Sequence, residues 1–149
     1  MDRVSSISLI PISSLTDKEA KKINYILMDI DDTLTTDGKL LAESYAALWR
    51  LHDAGLKVIP VTGRPAGWCD LIAREWPVDG VVGENGAFAF YEGEGHHLFE
   101  LSHPNAIPNT DRRLLALRDR VLSEIPNSRL ARDQFSRLYD IAIDFAEEE

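Results

Sequence analysis

Apolar positions in the first half of the chain follow two alternating periodicities. The run Tyr25–Asp29 predicts a strand buried in a parallel sheet, and residues 56–62 predict a second strand of this kind. Apolar residues recur at helical spacing over residues 42–54, up to Gly55, and again over residues 65–75. This order of elements predicts an α/β fold with a Rossmann-like, doubly wound parallel sheet.

Short polar motifs lie on either side of the first predicted strand. Residues 16–19, Thr-Asp-Lys-Glu, match a capping box and predict a short helix through Lys22. The Asp-Gly pair within residues 35–38 predicts a tight turn soon after the strand.

The pattern changes after Gly86. Residues 87–101 predict a β-hairpin, and Thr110 can cap an amphipathic helix over residues 110–124. The apolar residues of that helix that we predict to face inward are Leu114, Leu117, Val121 and Leu122. Alternating apolar and polar residues then predict a half-exposed strand over Tyr139–Phe145.

Two carboxylates at the end of the first strand carry the candidate chemistry. Because side chains alternate along an extended chain, Asp29 and Asp31 can point to the same side and face one bound group. Paired anions favour a hard divalent cation, Mg²⁺, which also screens the approach of a carboxylate to a phosphate. Asp29 is then the candidate nucleophile and Asp31 the candidate general acid and base. The alternative is an Asp-rich turn that only ends a strand.

The second strand ends in a motif suited to a phosphate. Thr62 offers a hydroxyl donor, Gly63 permits close approach of the backbone, and Pro65 suits the first turn of a helix whose N-terminus favours an anion. An ordinary strand-to-helix turn is the alternative.

These motifs resemble those of the haloacid dehalogenase superfamily of phosphotransferases. Its first motif, D-x-D-x-T after an apolar strand, matches Asp29–Thr33, and its second motif, a strand ending in Ser or Thr, matches residues 56–65. The resemblance implies that Asp29 is the nucleophile and a metal ligand. It implies that Asp31 is the acid and base, with a backbone carbonyl that also binds the metal.

The resemblance also implies which residues contact the substrate. Thr62, Gly63 and Arg64 of the second motif are expected to bind the phosphate or the substrate. Residues 81–87 are similar to the E-N-G turn of family members with a large α/β cap, which suggests that Asn85 lies at the substrate mouth. An Asn-Gly pair is equally a plain hairpin turn signal.

The resemblance divides the chain into two lobes. Residues 1–86 correspond to an incomplete core that carries the first two motifs. Residues 87–149 resemble the opening of the α/β cap found in the sugar-phosphatase-like (type IIB) branch. The likeness therefore covers the chain from about Asn24, but only the N-terminal half of a complete family member.

Two family motifs are absent. The family uses a Lys or Arg of a third motif and an acidic fourth motif such as G-D-x-x-x-D, yet no lysine follows Lys57 and no Gly-Asp pair occurs. In the family a neighbour of the first strand comes from the missing half, so an unpaired apolar edge would invite association. We expect a truncation, a complementing C-terminal half on a second chain, or self-association.

Two further possibilities stay open. Asp144, with Glu147 or Glu148, follows an apolar strand as a fourth motif should, and would give a capless phosphatase if that strand paired beside the first. Arg129 and Arg132 can reach an anionic substrate, although such arginines are more often solvated.

Composition limits the partners. A net charge of -9 disfavours a nucleic-acid or anionic-membrane surface. The single cysteine, Cys69, excludes an internal disulfide framework, and the first dozen residues lack the features of a signal peptide, so we place the protein in the cytoplasm.

These observations predict a magnesium-dependent phosphomonoester hydrolase acting through an aspartyl-phosphate. Its substrate is a small phosphorylated metabolite, a sugar or an organic acid, as the cap type implies by resemblance. The missing motifs leave open that the chain by itself is inactive as a truncation, and the alternatives are a non-catalytic metal- and phosphate-binding remnant, a half-protein that needs a second chain, or a phosphomutase.

Overall fold

The structure is a computed structural model that describes residues 11–145. Its helices are α1 (Asp17–Ala20), α2 (Ala42–Asp53), α3 (Ala66–Glu75) and α4 (Arg112–Glu124). Its strands are β1 (Tyr25–Met28), β2 (Thr35–Thr36), β3 (Lys39–Leu40), β4 (Lys57–Pro60), β5 (Val81–Gly83), β6 (Phe88–Glu92), β7 (Leu98–Ser102), β8 (Arg129–Leu130) and β9 (Ile143–Asp144). Short 3₁₀ turns lie at Ile12–Ser14, Glu84–Gly86, Glu94–His96 and Gln134–Ser136.

A mixed sheet positions the site. β1 and β4 pair in parallel, with Met28 opposite Pro60. A parallel bridge between Val61 and Val82 brings β5 beside the end of β4. β5, β6 and β7 continue as an antiparallel ladder, while β2–β3 and β8–β9 form separate two-stranded pairs. Helices α2 and α3 connect β1, β4 and β5 as crossovers, so the predicted α/β class with an incomplete parallel core is confirmed.

The core lies between α3 and the β5–β6 strands. Its buried residues are Ile30, Ala66, Cys69, Ile72, Ala73, Val81, Phe88 and Phe90. Phe88 and Phe90 contact each other with ring centroids 4.5 Å apart. Leu48 of α2 and Val58 of β4 are buried outside this cluster. Strands on both sides of residue 86 thus contribute to one core, and the predicted division into lobes at that residue stays a prediction.

The prediction of a buried first strand is wrong. Tyr25 and Leu27 are 62% and 64% exposed, although they lie in an apolar run. Within residues 11–145, β1 pairs only with β4 and its other edge is open. A strand with a neighbour on one side cannot bury the face that a second neighbour and its helix would cover.

Most predicted helices and turns of the first half are present. The capping box forms, since the Thr16 hydroxyl accepts from the Glu19 backbone and the Glu19 carboxylate accepts from the Thr16 backbone. The turn after β1 is the β2–β3 hairpin. α3 begins one residue later than predicted, because Pro65 with ψ 163° is the N-cap and not the first helical residue.

The second half departs further from the prediction. The hairpin forms as β6–β7, but α4 begins after Asp111, whose carboxylate accepts from the Arg113 backbone and replaces Thr110 as the cap. No residue of α4 is buried, and Leu117, which we predicted to face inward, is 57% exposed. The predicted strand Tyr139–Phe145 shrinks to β9, since side chains of other elements hold the backbone of its first residues.

None of the helices found in residues 11–145 has the length and apolar character needed to cross a membrane.

Candidate active site

A tight turn follows β1 and decides where the carboxylates lie. Asp29 is exposed just beyond the strand, and Ile30 is 5% exposed with its side chain in the core. The Ile30 carbonyl accepts hydrogen bonds from the backbone N–H groups of Thr33, Leu34 and Thr35. The chain is therefore no longer extended after Asp29, and the simple alternation of a strand does not apply there.

Asp29 shares one cavity with three other predicted site residues. This cavity, called the Asp29 cavity, has a volume of about 480 Å³ and is lined by Leu27, Met28, Asp29, Val61, Thr62, Gly63 and Asn85. It opens where β1 and β4 end, which is the usual place for ligands in parallel α/β sheets.

Thr62 is fixed by backbone hydrogen bonds at the floor of this region. It is 3% exposed, and its N–H donates to the Val82 carbonyl at 2.9 Å. The Thr62 carbonyl accepts from the Asn85 N–H at 3.2 Å, which ties the two predicted site residues together. The hydroxyl oxygen accepts from the Arg64 N–H at 3.1 Å, which leaves the hydroxyl hydrogen available to donate to a bound group.

Gly63 and Asn85 approach closely. A Cβ added to Gly63 would lie 3.1 Å from the Asn85 Oδ1 atom, so a side chain there would force the amide aside. Asn85 adopts the left-handed region with φ 57°, which asparagine tolerates better than most residues. Both features shape the wall of the Asp29 cavity.

Asp31 faces Arg64. The Arg64 Nε donates to Asp31 Oδ2 at 3.0 Å and Nη2 donates to Oδ1 at 2.6 Å, so both carboxylate oxygens are engaged. The Arg64 guanidinium also lies 4.4 Å from the Trp68 ring centroid. The hydrogen bond to Asp31 raises the pKa of Arg64, and burial opposes that change. The structure thus brings Asp31 and Arg64 together beside the Asp29 cavity, and the predicted convergence of both carboxylates on one group stays a prediction.

A buried carboxylate that sequence analysis missed organises this region. Glu84 is 2% exposed, and its Oε1 accepts from the Ala66 N–H at 3.0 Å at the start of α3. Its Oε2 accepts from the N–H groups of Tyr139 and Asp140 at 2.7 and 3.0 Å, and Leu138 donates to both oxygens. The anion that the α3 N-terminus was expected to favour is therefore Glu84 in this structure.

Glu84 holds residues 138–140 against the Asp29 cavity. The Asn85 amide donates to Asp140 Oδ2 at 3.3 Å, and Arg137 Nη1 donates to the Gly63 carbonyl at 3.0 Å and to Asp140 Oδ1 at 2.8 Å. Burial raises the pKa of the Asp140 carboxyl, although the hydrogen bond from Arg137 opposes this. Residues 137–140 of the second half consequently contact Gly63 and Asn85 of the first.

The predicted Mg²⁺ ligands fit such an ion in number and chemistry. Mg²⁺ commonly takes one or two carboxylates and completes its sphere with waters and substrate phosphate. Asp29 offers an exposed carboxylate at the strand end, whereas the Asp31 carboxylate pairs with Arg64, so the ligand expected from Asp31 is its backbone carbonyl. Within the described residues, no group of three or more His, Cys, Asp or Glu side chains could hold a metal.

The alternative fourth motif is not supported. It requires the strand of Asp144 to pair beside β1, but β9 pairs antiparallel with β8. Asp144 instead accepts from Arg129 Nε at 2.9 Å, so the Arg129 side chain pairs with a carboxylate of the β8–β9 hairpin. Glu147 and Glu148 lie outside the described residues.

Comparison with known proteins identifies the family. Residues 26–107, more than half of the chain, match the family of haloacid dehalogenase-like hydrolases. The chain belongs to this family, and the predicted resemblance to the haloacid dehalogenase superfamily is confirmed.

Individual relatives are phosphatases. A phosphoglycolate phosphatase of Pyrobaculum neutrophilum is 34% identical over 76 residues, which are 49% of this chain and 33% of that protein. The structure of BT1666 from Bacteroides thetaiotaomicron, described among phosphatases of the superfamily, is 31% identical with a TM-score of 0.50, over 74% of this chain and 40% of its own. The sugar phosphatase BT4131, described as subclass IIB, is 27% identical with a TM-score of 0.42, over 58% of this chain and 33% of its own. The chain thus spans two fifths or less of the length of these relatives.

The site residues that sequence analysis missed are Glu84, Arg137 and Asp140. Glu84 is the first residue of the E-N-G turn, and a Glu before an Asn-Gly pair only weakly indicates that its side chain is buried. Asp140 lies in the segment predicted as a strand, and Arg137 lies two residues before that segment. Residue spacing indicates neither that they lie close to the first half of the chain nor that they pair with each other.

Proposed function

We propose that this protein is a magnesium-dependent phosphomonoester hydrolase of the α/β-capped branch, acting in the cytoplasm on a small phosphorylated sugar or organic acid. The single observation that carries the proposal is that Asp29, Thr62, Gly63 and Asn85 line one cavity at the ends of parallel strands. Membership in the haloacid dehalogenase-like hydrolases and the phosphatase names of the relatives support it.

The proposed chemistry assigns each step to a residue. The Asp29 carboxylate attacks phosphorus, the ester oxygen leaves and takes a proton from Asp31, and an aspartyl-phosphate forms. Asp31 then removes a proton from water, whose oxygen attacks phosphorus and releases inorganic phosphate with Asp29 restored. Thr62 and Asn85 orient the phosphoryl oxygens. Mg²⁺ held by the Asp29 carboxylate and the Asp31 backbone carbonyl would neutralise charge on these oxygens.

The test is hydrolysis of p-nitrophenyl phosphate by the purified chain with and without Mg²⁺. We expect Asp29→Asn to abolish release of p-nitrophenol, because an amide cannot act as the nucleophile. Asp53→Asn, which changes an exposed carboxylate at the end of α2, is the matched control and should retain the wild-type rate. Activity that survives Asp29→Asn would overturn the assignment.

We also propose, as alternatives, that the chain is a half-protein completed by another chain or a remnant that binds phosphate without catalysis. The open edge of β1, with Leu27 64% exposed, favours a chain completed by a complementing C-terminal half or by a second copy. Sedimentation velocity of the purified chain tests the second copy: wild type should associate and Leu27→Lys should shift it towards the monomer. Phosphate-analogue binding without turnover would support the remnant over the hydrolase. Monomeric, fully active wild type would contradict both.

A further inference from the structure

A second cavity lies beside the Asp29 cavity. This cavity, called the arginine cavity, has a volume of about 470 Å³, within the range of small-molecule sites. Its lining residues are Arg64, Trp68, Ala131, Arg132, Asp133, Arg137, Ile143, Asp144 and Phe145. Three of these residues are arginines and two are carboxylates, and the rest are apolar.

The two cavities meet at consecutive residues. Gly63 lines the Asp29 cavity and Arg64 lines the arginine cavity. Arg137 reinforces this junction, since its Nη1 donates to the Gly63 carbonyl at 3.0 Å. Gly63 is thus adjacent in sequence to one arginine of the second cavity and hydrogen-bonded to another, so the two cavities lie side by side. A small molecule with two anionic groups is the kind of ligand that both could hold.

Two guanidinium groups in the arginine cavity are positioned in advance. The Arg64 guanidinium lies over the Trp68 ring, and this cation–π contact helps to fix its position. The Arg137 side chain is 9% exposed, and its Nε is buried without a hydrogen-bond partner among the described residues. Arg137 is held in place because its other nitrogens donate to the Gly63 carbonyl and to Asp133 and Asp140. Arg64, whose side chain is 33% exposed, is therefore the more accessible of these two cations.

The carboxylate now on Arg64 can be exchanged. Asp31 occupies the Nε and Nη2 positions of Arg64 in the two-pronged geometry that guanidinium offers to any carboxylate. Its side chain is 42% exposed and that of Arg64 33% exposed, and pairs with this access to water are held weakly. While the pair persists, the Asp31 side chain is directed at Arg64, and each of its oxygens accepts one hydrogen bond there.

We propose that the arginine cavity binds the carboxylate of a phosphorylated organic acid, and that this carboxylate replaces Asp31 on the Arg64 guanidinium. The proposal rests on the proposed phosphatase function and narrows its substrate to esters with a second, carboxylate anion. Substrate binding then frees Asp31 for its role as acid and base. An ester without the carboxylate leaves Asp31 on Arg64.

A matched pair of esters tests this. Phosphoglycolate and ethyl phosphate differ by a carboxylate in place of a methyl group. A charge-assisted hydrogen bond predicts that kcat/KM of the intact chain with Mg²⁺ is about 10- to 100-fold higher for phosphoglycolate. In Arg64→Gln the ratio should fall towards one. Arg132→Gln changes an exposed side chain of the same cavity, keeps the test informative if Arg64→Gln does not fold, and should also lower the ratio.

Arg74→Gln is the control variant. Arg74 pairs with Asp70 on the surface of α3, away from both cavities, and this variant should keep the wild-type ratio. A wild-type ratio near one, or a ratio unchanged in both Arg64→Gln and Arg132→Gln, would overturn the proposal.

A binding measurement separates this proposal from the proposed activity. If neither ester is hydrolysed, the proposed function fails for this chain, but both esters can still be titrated while tryptophan fluorescence is recorded. Because Arg64 lies over Trp68, phosphoglycolate should change the emission and bind about 10- to 100-fold more tightly than ethyl phosphate. The emission change should disappear in Trp68→Phe. Equal affinity for the two esters would refute the carboxylate site regardless of turnover.

Discussion

Replacement of Glu84 by glutamine isolates one buried charge without changing its shape. Glu84 accepts from the backbone N–H groups of Ala66, Leu138, Tyr139 and Asp140. These hydrogen bonds join the start of α3 to a segment more than fifty residues further along the chain. The substitution removes the charge and turns one acceptor oxygen into an NH₂ donor.

The two orientations of the new amide differ in cost. If its nitrogen takes the place of Oε1, Ala66 loses its acceptor and Leu138 keeps only its longer hydrogen bond, to Oε2 at 3.2 Å. At the place of Oε2, both Tyr139 and Asp140 lose their acceptor. The first orientation is preferred, and one buried N–H group without an acceptor costs about 1–3 kcal/mol. Loss of charge also weakens the remaining hydrogen bonds and the interaction with the α3 N-terminus, so the total is about 3 kcal/mol.

Urea unfolding followed by tryptophan fluorescence measures this loss. Amide hydrogen exchange gives a second readout, and we expect residues 138–140 to exchange faster than the α3–β5 core in the variant. Glu75→Gln changes an exposed carboxylate at the end of α3 and should alter the unfolding free energy by less than about 0.5 kcal/mol. A loss below about 1 kcal/mol in Glu84→Gln, or unchanged exchange at residues 138–140, would refute the reasoning.

Three further predictions concern pH, a thiol and a glycine. Burial raises the pKa of Asp79, but hydrogen bonds from Lys57 and from the Val58 backbone outweigh burial and hold this pKa below 3.8. The ionised Asp79 therefore stabilises the fold above about pH 4, and this stabilisation is lost as the pH falls further. Asp79→Asn should lose less stability than wild type between about pH 5 and pH 2.5, and equal losses would contradict this. Burial raises the pKa of the Cys69 thiol to about 12. A disulfide reagent at about pH 8 should therefore modify this thiol only after the protein is unfolded in urea. Rapid modification of the folded protein would count against the buried position. A Cβ at Gly83 would lie 2.2 Å from Phe88 Cζ, so Gly83→Ala should cost about 1–3 kcal/mol in urea unfolding, and wild-type stability would show that the contact relaxes freely.

Local periodicity determined the elements of the first half. Apolar spacing and end signals located α2, α3 and the capping box, because these depend on side chains within a few residues of one another. Motif spacing also brought Asp29, Thr62 and Asn85 to one cavity, since ends of parallel strands joined by short crossovers must meet at one edge of a sheet. The roles assigned to these residues stay predictions.

Burial and long-range pairing could not be obtained in this way. An apolar run specified β1 as a strand, but its exposure depends on which neighbours are present. Residues 139–142 have the alternation of a strand, yet Glu84 and Gln134 take their N–H groups and prevent a ladder. The partner of Asp31 is Arg64, more than thirty residues away.

The sequence by itself determined the α/β class, the strand-end position of Asp29 and the family, because these follow from local pattern and motif spacing. Only the tertiary structure decided that Glu84 is buried, that Asp31 faces Arg64 and that three arginines share a cavity. The physical reason is that a hydrogen bond or an ion pair depends on distances of about 3 Å between groups far apart in the chain, and only the packed fold sets those distances.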